Sequence, residues 1–149
     1  MAGILFDTCV YISALRQGDG SLFSVRRAAR AGERSTRPLW LSAVVLEELY
    51  AGAQDRRMKK LCLAIERSFD KAGRLLVPIA SDWPACGQVL CQIGRKYGHE
   101  QIGRARMTND TLIAISAARN GLTIITANTA DFKRIAEFRY FDWEEIRIE

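Results

Sequence analysis

The fold of this chain is decided near its start, by the stretch Ile4-Leu5-Phe6-Asp7-Thr8-Cys9. Three consecutive apolar residues predict a short strand, and a helical pattern follows from about Cys9. Asp7 therefore follows the carboxyl end of the first strand directly. The rest of the chain can be examined for further strands that end in the same way.

Strand and helix signals alternate along the remaining sequence. Further strands are predicted at residues 40–42, 75–79 and 122–126, with a last extended piece near 139–141. Helices are predicted at residues 9–17, 21–31, 44–51, 55–72, 81–96 and 110–120, with a short one from about 131, and residues 97–108 are predicted to form a loop. This rhythm predicts an α/β fold with a mainly parallel central sheet covered by helices on both faces.

The composition sets limits on the class of protein. The chain has 149 residues, of which 48% are hydrophobic and 26% charged, and we expect residues 1–149 to form a single domain. No apolar run approaches the ~20 residues of a membrane span, and no secretory signal is visible, so we expect a cytoplasmic protein that does not enter a membrane. Twenty-two Lys and Arg against 17 Asp and Glu give a net charge of +5, which favours a polyanionic partner.

Histidine and cysteine offer little for catalysis. His99 is the only histidine, and the four cysteines contain no CxxC pair. A Cys2His2 zinc site is therefore excluded, and a Ser-His-Asp or Cys-His mechanism would depend on one residue in a polar stretch. We interpret the cysteines as small core residues.

Acidic residues recur where the predicted strands end. Asp7 and Asp131 follow strands, Asp110 begins a predicted apolar helix, and Glu48 lies on the helix after the second strand. Ligands of open parallel sheets bind outside the carboxyl ends of the strands. We therefore expect these four acids to converge.

Helix geometry distinguishes Glu48 from the adjacent Glu47. Val45, Leu49 and Gly52 share one face of the helix because they are spaced i, i+4 and i+7. Glu48 falls on that face, whereas Glu47 points about 100° away toward solvent. An acid on an apolar face is costly to bury without a partner, so Glu48 is the functional candidate.

Each of these acids also has a structural alternative. Asp and Asn are favoured helix caps, so Asp7, Asn109 or Asp110, and Asp131 could simply cap the helices that begin beside them. Several carboxylates at one end of a sheet, however, repel one another unless their pKa values rise or a cation lies between them. Oxygen ligands favour Mg²⁺ or Mn²⁺ over Zn²⁺. In a basic protein, such a site indicates phosphodiester hydrolysis by metal-activated water.

Four segments, in order, resemble motifs of the PIN-domain nucleases. They are residues 4–12 (ILFDTCVYI) for the opening strand and D-T-x-V-x-I motif, 41–52 (LSAVVLEELYAG) for E-L-x-x-G, 109–114 (NDTLIA) for N-D-x-x-I-A, and 121–132 (GLTIITANTADF) for G-L-x-x-x-T-x-N-x-x-D-F. The resemblance covers almost the whole chain and is greatest to the VapC-type toxins of bacterial toxin-antitoxin pairs.

The resemblance implies a PIN-like three-layer α/β/α sandwich, an Mg²⁺- or Mn²⁺-dependent endoribonuclease, a homodimer, and inhibition by a small antitoxin protein. The family pattern assigns catalysis and metal binding to Asp7, Glu48, Asp110 and Asp131, and supporting roles to Thr8, Thr126 and Asn128. The family often has Asp at the position of Asn128, so one or two metal ions remain possible. For Thr8, capping of the first helix is an equal alternative.

The RNA substrate would approach across basic residues near the acids. Arg104 and Arg106 lie just before Asp110, and we expect them to contact phosphates, with solvated loop residues as the alternative.

Other functions stay open at this point. A non-catalytic PIN-like module that binds RNA or protein, a housekeeping nuclease and a DNA-directed nuclease share the same motifs. A phosphoacceptor receiver is disfavoured, because Asp7 has no adjacent acid and Thr126 is followed by Ala127 rather than by Lys.

Overall fold

A computed structural model describes residues 2–16, 37–103 and 105–147, apart from the side chains of residues 101 and 105. The helix predicted at residues 21–31 and the candidate RNA contact Arg104 lie outside the described residues.

Five parallel strands form the central sheet. In chain order they are β1 Ile4–Phe6, β2 Leu39–Ser42, β3 Leu75–Leu76, β4 Thr123–Thr126 and β5 Asp142–Glu145. Their order across the sheet is β3-β2-β1-β4-β5, and every neighbouring pair is parallel. Starting from β1, the chain first adds β2 and β3 on one side of the sheet and then adds β4 and β5 on the other side. The strand order therefore reverses between β1 and β4. Ligand sites of open α/β sheets lie at this reversal.

Helices cover the sheet, and the predicted three-layer α/β/α sandwich is confirmed. In the described ranges they are α1 Thr8–Arg16, α2 Ala43–Ala51, α3 Arg56–Ala72, α4 Asp82–Tyr97, α5 Ala105–Arg119 and α6 Thr129–Ala136, with a short 3-10 helix at His99–Gln101. Residues 111–117 of α5 are all buried, as the apolar composition of that segment predicts. None of the described helices has the length and apolar character that crossing a membrane requires.

Short-range signals determine where α2 and α3 begin and end. The Ser42 hydroxyl accepts the Val44 N–H at 3.1 Å, and Asp55 Oδ1 accepts the Met58 N–H at 2.8 Å. These bonds satisfy amides that have no partner within the first turn of a helix. At the other end of α3, Gly73 adopts a left-handed φ of 68°, which closes the helix.

Three predicted boundaries are wrong. α5 begins at Ala105 rather than at Asp110, because the first turn is anchored by the buried Met107. The strand predicted at 75–79 is only Leu75–Leu76, since its neighbour β2 ends opposite Leu76 and leaves nothing to pair with Val77. The last strand lies at 142–145 instead of 139–141, where it pairs with the full length of β4.

Candidate active site

A cavity of about 380 Å³ opens beside the carboxyl end of β1, between α1, α2 and α5. Its lining combines carboxylates with small polar and apolar side chains: Asp7, Thr8, Cys9, Ile12, Glu47, Glu48, Ala51, Arg106, Asn109 and Asp110. Three of the four predicted acids therefore share one cavity, together with Arg106.

Asp7 is buried and held at the end of the central strand. Its backbone N–H donates to the Ile125 carbonyl at 3.0 Å, which extends the pairing of β1 with β4 by one residue. Its Oδ1 accepts the Thr8 N–H at 2.8 Å, so the carboxylate does bond the first amide of α1. Its Oδ2 accepts the Thr126 hydroxyl at 2.9 Å and lies 3.3 Å from Cys9 Sγ. The carboxylate is therefore oriented from both neighbouring elements.

Glu48 is half-buried and faces Thr8 across the cavity. The Thr8 hydroxyl donates to Glu48 Oε1 at 2.7 Å, so this hydroxyl bonds an acid of α2 rather than capping its own helix. Burial raises the pKa of the Glu48 carboxyl, the Thr8 hydrogen bond lowers it, and the negative charge of Asp7 raises it. The net shift of this pKa is upward, and burial is its largest cause.

Asp110 is only 2% exposed and lies in the second turn of α5. Because α5 begins at Ala105, Asp110 does not cap this helix. Burial raises the pKa of its carboxyl to about 8, and nearby carboxylates act in the same direction. Those carboxylates are Asp7, Asp131 and Glu48, whereas Arg106 acts in the opposite direction. The structure thus brings the other three predicted acids within electrostatic reach of Asp110.

Asn128 links the end of β4 to two of the acids. It occupies the residue before α6, where an Asn side chain usually accepts a hydrogen bond from the helix, but it makes no such cap. Instead, Nδ2 donates to Asp131 Oδ2 at 3.1 Å and to Asp110 Oδ2 at 3.4 Å. Its backbone N–H donates to the Thr126 hydroxyl at 2.9 Å. Asp131 is outside the cavity lining and connects to the site through Asn128.

Glu47 and Asn109 belong to the cavity although their roles were not predicted. Glu47 is exposed, as its helix position indicates, yet it lines the cavity, and its Oε2 accepts a bond from Asn109 Nδ2 at 3.3 Å. The missed signal is the spacing of Arg106, Asn109 and Asp110. Residues at i, i+3 and i+4 share one face of a helix. This spacing was not recognised because residues 97–108 were predicted to form a loop, which left Arg106 outside the helix.

The donor chemistry fits a hard divalent cation. The acids supply oxygen ligands, and burial among like charges raises the pKa of Asp110 to about 8, as expected for a site whose negative charge calls for a cation. Within the described ranges, no three Asp, Glu, His or Cys side chains stand close enough to hold an ion by themselves. Mg²⁺ typically keeps several water ligands and uses one or two carboxylates, so the residues present fit such an ion.

Comparisons with known proteins identify the family of this chain. The family model described as PIN domain matches residues 4–138. The chain is 32% identical over 103 residues to the tRNA(fMet)-specific endonuclease VapC of Shigella flexneri, a match that covers 69% of this chain and 74% of that protein.

Solved structures show the same fold at lower identity. DNA-bound VapBC from Salmonella typhimurium matches with a TM-score of 0.64 and 20% identity, over 97% of this chain and 98% of the other. VapBC-1 from nontypeable Haemophilus influenzae also matches with a TM-score of 0.64, at 21% identity, over 95% of this chain and 96% of the other.

Proposed function

The chain belongs to the PIN-domain family and is a VapC-type nuclease, and from this membership we propose that its cavity hydrolyses RNA phosphodiester bonds with Mg²⁺ or Mn²⁺. The observation that carries the proposal is the burial of Asp110 among Asp7, Glu48 and Asp131 in a protein of net charge +5. A buried acidic cluster is unfavourable by itself, and a divalent cation between its carboxylates would relieve the repulsion.

The acidic side chains of the cavity would bind the cation and supply the negative charge around it. One or two of Asp7, Glu48 and Asp110 would bind the cation directly and the others through its water ligands, while Asp131, held by Asn128, would add negative charge beside them. A bound Mg²⁺ or Mn²⁺ supplies an activated water and neutralises charge that develops on the phosphate. These residues therefore make a separate protein nucleophile unnecessary.

The supporting residues orient the acids. Thr8 positions Glu48, and Thr126 positions Asp7 while accepting the Asn128 N–H. Arg106, which is exposed at the cavity, would bind an incoming phosphate. The same role for Arg104 stays a prediction from the sequence.

The similar proteins indicate the substrate and partner to test. Because the Shigella relative is named for cleavage of tRNA(fMet), we propose structured RNA, with tRNA as the leading class, as the substrate. The matched solved structures are VapBC complexes, so we also propose inhibition by a small antitoxin protein. A homodimer stays a prediction from the family resemblance.

The test is metal-dependent cleavage by the purified chain. We expect the chain to cleave tRNA transcripts when Mn²⁺ is present. Asp7→Asn and Asp110→Asn should each lower kcat roughly 100-fold or more, because mutation of residues that only support metal ligands already costs about 10- to 100-fold. Asp70→Asn on the exposed side of α3 is the matched control and should cleave like the unmodified chain. Circular dichroism checks that all three variants are folded.

Other outcomes separate the alternatives. Full activity in both cavity variants would refute the proposed site. Preferential cleavage of matched DNA strands would indicate a DNA-directed nuclease, and tight RNA binding without any cleavage would indicate a non-catalytic module.

A further inference from the structure

A second pocket adjoins the active site and shares two of its residues. It measures about 410 Å³ and lies between α1, α2 and the start of α3. We call it the arginine pocket, and its characteristic residues are Ile12, Leu15, Arg16, Leu49, Arg57 and Met58. Ile12 and Glu48 line both this pocket and the catalytic cavity, so the two spaces adjoin at these side chains.

The chemistry of the arginine pocket combines an apolar floor with exposed guanidinium groups at its edge. Leu15 and Leu49 are buried, and Met58 is half-buried. Arg16 and Arg57 are exposed, and among the residues that the structure describes their guanidinium groups have no hydrogen-bond or ion-pair partner. An apolar surface beside unpaired guanidinium groups suits a ligand that has a flat apolar face and a phosphate.

Arginines from three helices line the catalytic cavity and the adjoining pocket. Arg106 reaches that cavity from α5, whereas Arg16 and Arg57 line the adjoining pocket from α1 and α3. A nucleic-acid strand that crosses the acidic centre is repelled there unless positive charges bind its phosphates on either side. The arrangement therefore matches a strand that continues past Glu48.

We propose that the arginine pocket binds the RNA nucleotide next to the scissile phosphate. The unpaired base would lie on the apolar floor, and Arg16 and Arg57 would bind the neighbouring phosphates. This inference rests on the proposed function, because it assigns a substrate position to that active site. A single-stranded or unstacked nucleotide is required, since a base within a duplex could not enter the pocket.

The first experiment measures RNA binding in EDTA, so that binding is separate from cleavage. Fluorescence anisotropy with a labelled single-stranded oligoribonucleotide would compare Arg16→Gln and Arg57→Gln with Arg56→Gln. Arg56 is the exposed neighbour of Arg57 on α3 but does not line the pocket, so it is a matched control for net charge. We expect about a fivefold loss of affinity and a decrease of about 1 in the salt slope for each pocket variant, with less than about twofold loss for the control.

The second experiment tests the base. The unmodified chain would first be used to locate the cut, and the base on either side of that phosphate would then be removed in turn. We expect one of the two abasic strands to bind about fivefold more weakly to the unmodified chain. We expect removal of the same base to cost less affinity in Met58→Gln, because its polar side chain disrupts the apolar floor that Met58 forms with Leu15 and Leu49.

The outcomes are distinct from those of the proposed function. If Arg16→Gln and Arg57→Gln bind RNA as tightly as Arg56→Gln, the inference is wrong, and the pocket is then available to a protein segment. Equal binding of both abasic strands would also refute it. If the chain binds RNA through these arginines but never cleaves it with Mn²⁺, the catalytic proposal fails while the binding result stands.

Discussion

Glu47 and Glu48 are adjacent acids with the same chemistry but different surroundings. Glu48 is half-buried and accepts the Thr8 hydroxyl, whereas Glu47 is exposed at the edge of the cavity and accepts Asn109 Nδ2. The approximately 100° between successive helix residues creates this difference, since it directs Glu48 toward Asp7, which follows β1, and toward Asp110 of α5.

This pair yields a prediction at the level of single residues. Glu48→Gln should lower kcat at least about 30-fold because it removes a charge from the proposed cation site. Glu47→Gln should change kcat by less than about threefold, since an exposed charge is screened by water and salt. Steady-state cleavage of one tRNA transcript would measure both, and equal losses would contradict the separation of roles.

The pKa of Asp110 predicts how the stability of the metal-free protein depends on pH. Burial raises this pKa from 3.8 to about 8, and the neighbouring carboxylates contribute to the shift. The folded state therefore binds the proton more tightly than the unfolded chain, so the free energy of unfolding should fall as pH rises from about 4 to about 8. Mn²⁺ should restore stability at pH 8 by binding the ionised carboxylates.

Thermal unfolding in EDTA between pH 5 and pH 9 would measure this effect. Asp110→Asn should flatten the pH dependence and respond less to Mn²⁺, because its amide does not ionise. An Asp110→Asn protein with the same pH profile as the unmodified chain would show that other groups control the stability.

At the scale of elements, α5 shows how a helix boundary changes the meaning of a residue. A start at Asp110 makes that acid a candidate cap, but the observed start at Ala105 places it on a buried helix face. The same boundary puts Arg106 on the cavity face one turn earlier. The element, and not only the residue type, therefore determines which side chains meet.

Replacement of two glycines by alanine should change the stability of the protein in opposite directions. Gly73 ends α3 with φ of 68°, and no atom lies within 4 Å of the position that a Cβ would occupy, so Gly73→Ala should cost about 1 kcal/mol of stability from backbone strain alone. Gly87 lies inside α4 with equally open surroundings, so Gly87→Ala should stabilise by about 0.5–1 kcal/mol. Urea unfolding would measure both, and a loss at Gly87 would contradict this account.

At the scale of the whole molecule, one ion pair joins the start of α4 to the end of α5. Asp82 is 2% exposed and accepts Arg119 Nε at 3.1 Å and Nη2 at 3.0 Å. Burial alone raises the pKa of the Asp82 carboxyl, but hydrogen bonds from Arg119 and from the Ile79 N–H outweigh it, and the net shift is downward. The pair lies about 14 Å along α5 from Asp110, given the rise of a helix per residue.

Removal of this pair should therefore affect stability more than catalysis. Arg119→Ala leaves a buried carboxylate with a single N–H partner, and we expect a loss of about 2 kcal/mol in the free energy of unfolding. The kcat of the folded protein should stay within about twofold of the unmodified value, since Arg119 does not reach the cavity. Arg95→Ala on the exposed face of α4 is the control, and urea unfolding together with cleavage assays would distinguish the two effects.

Much of the architecture follows from local sequence. The apolar run at β1 predicts its burial, the alternating elements predict the parallel sheet, and Ser42, Asp55 and Gly73 mark the ends of α2 and α3. These features depend on residues within a few positions of one another. The shortness of β3 did not follow, because it depends on where β2 ends rather than on the sequence of residues 75–79.

The sequence by itself determined the fold class, the position of Asp7 after the first strand, and the burial of Glu48 rather than Glu47. Only the tertiary structure decided that Asn128 bonds Asp110 and Asp131 and that a second pocket lies beyond Glu48. The physical reason is the separation along the chain of the residues on which each feature depends. Strand and helix signals are periodic over a few residues, whereas pKa shifts and cavities depend on distances between side chains as far apart in the chain as Asp7 and Thr126.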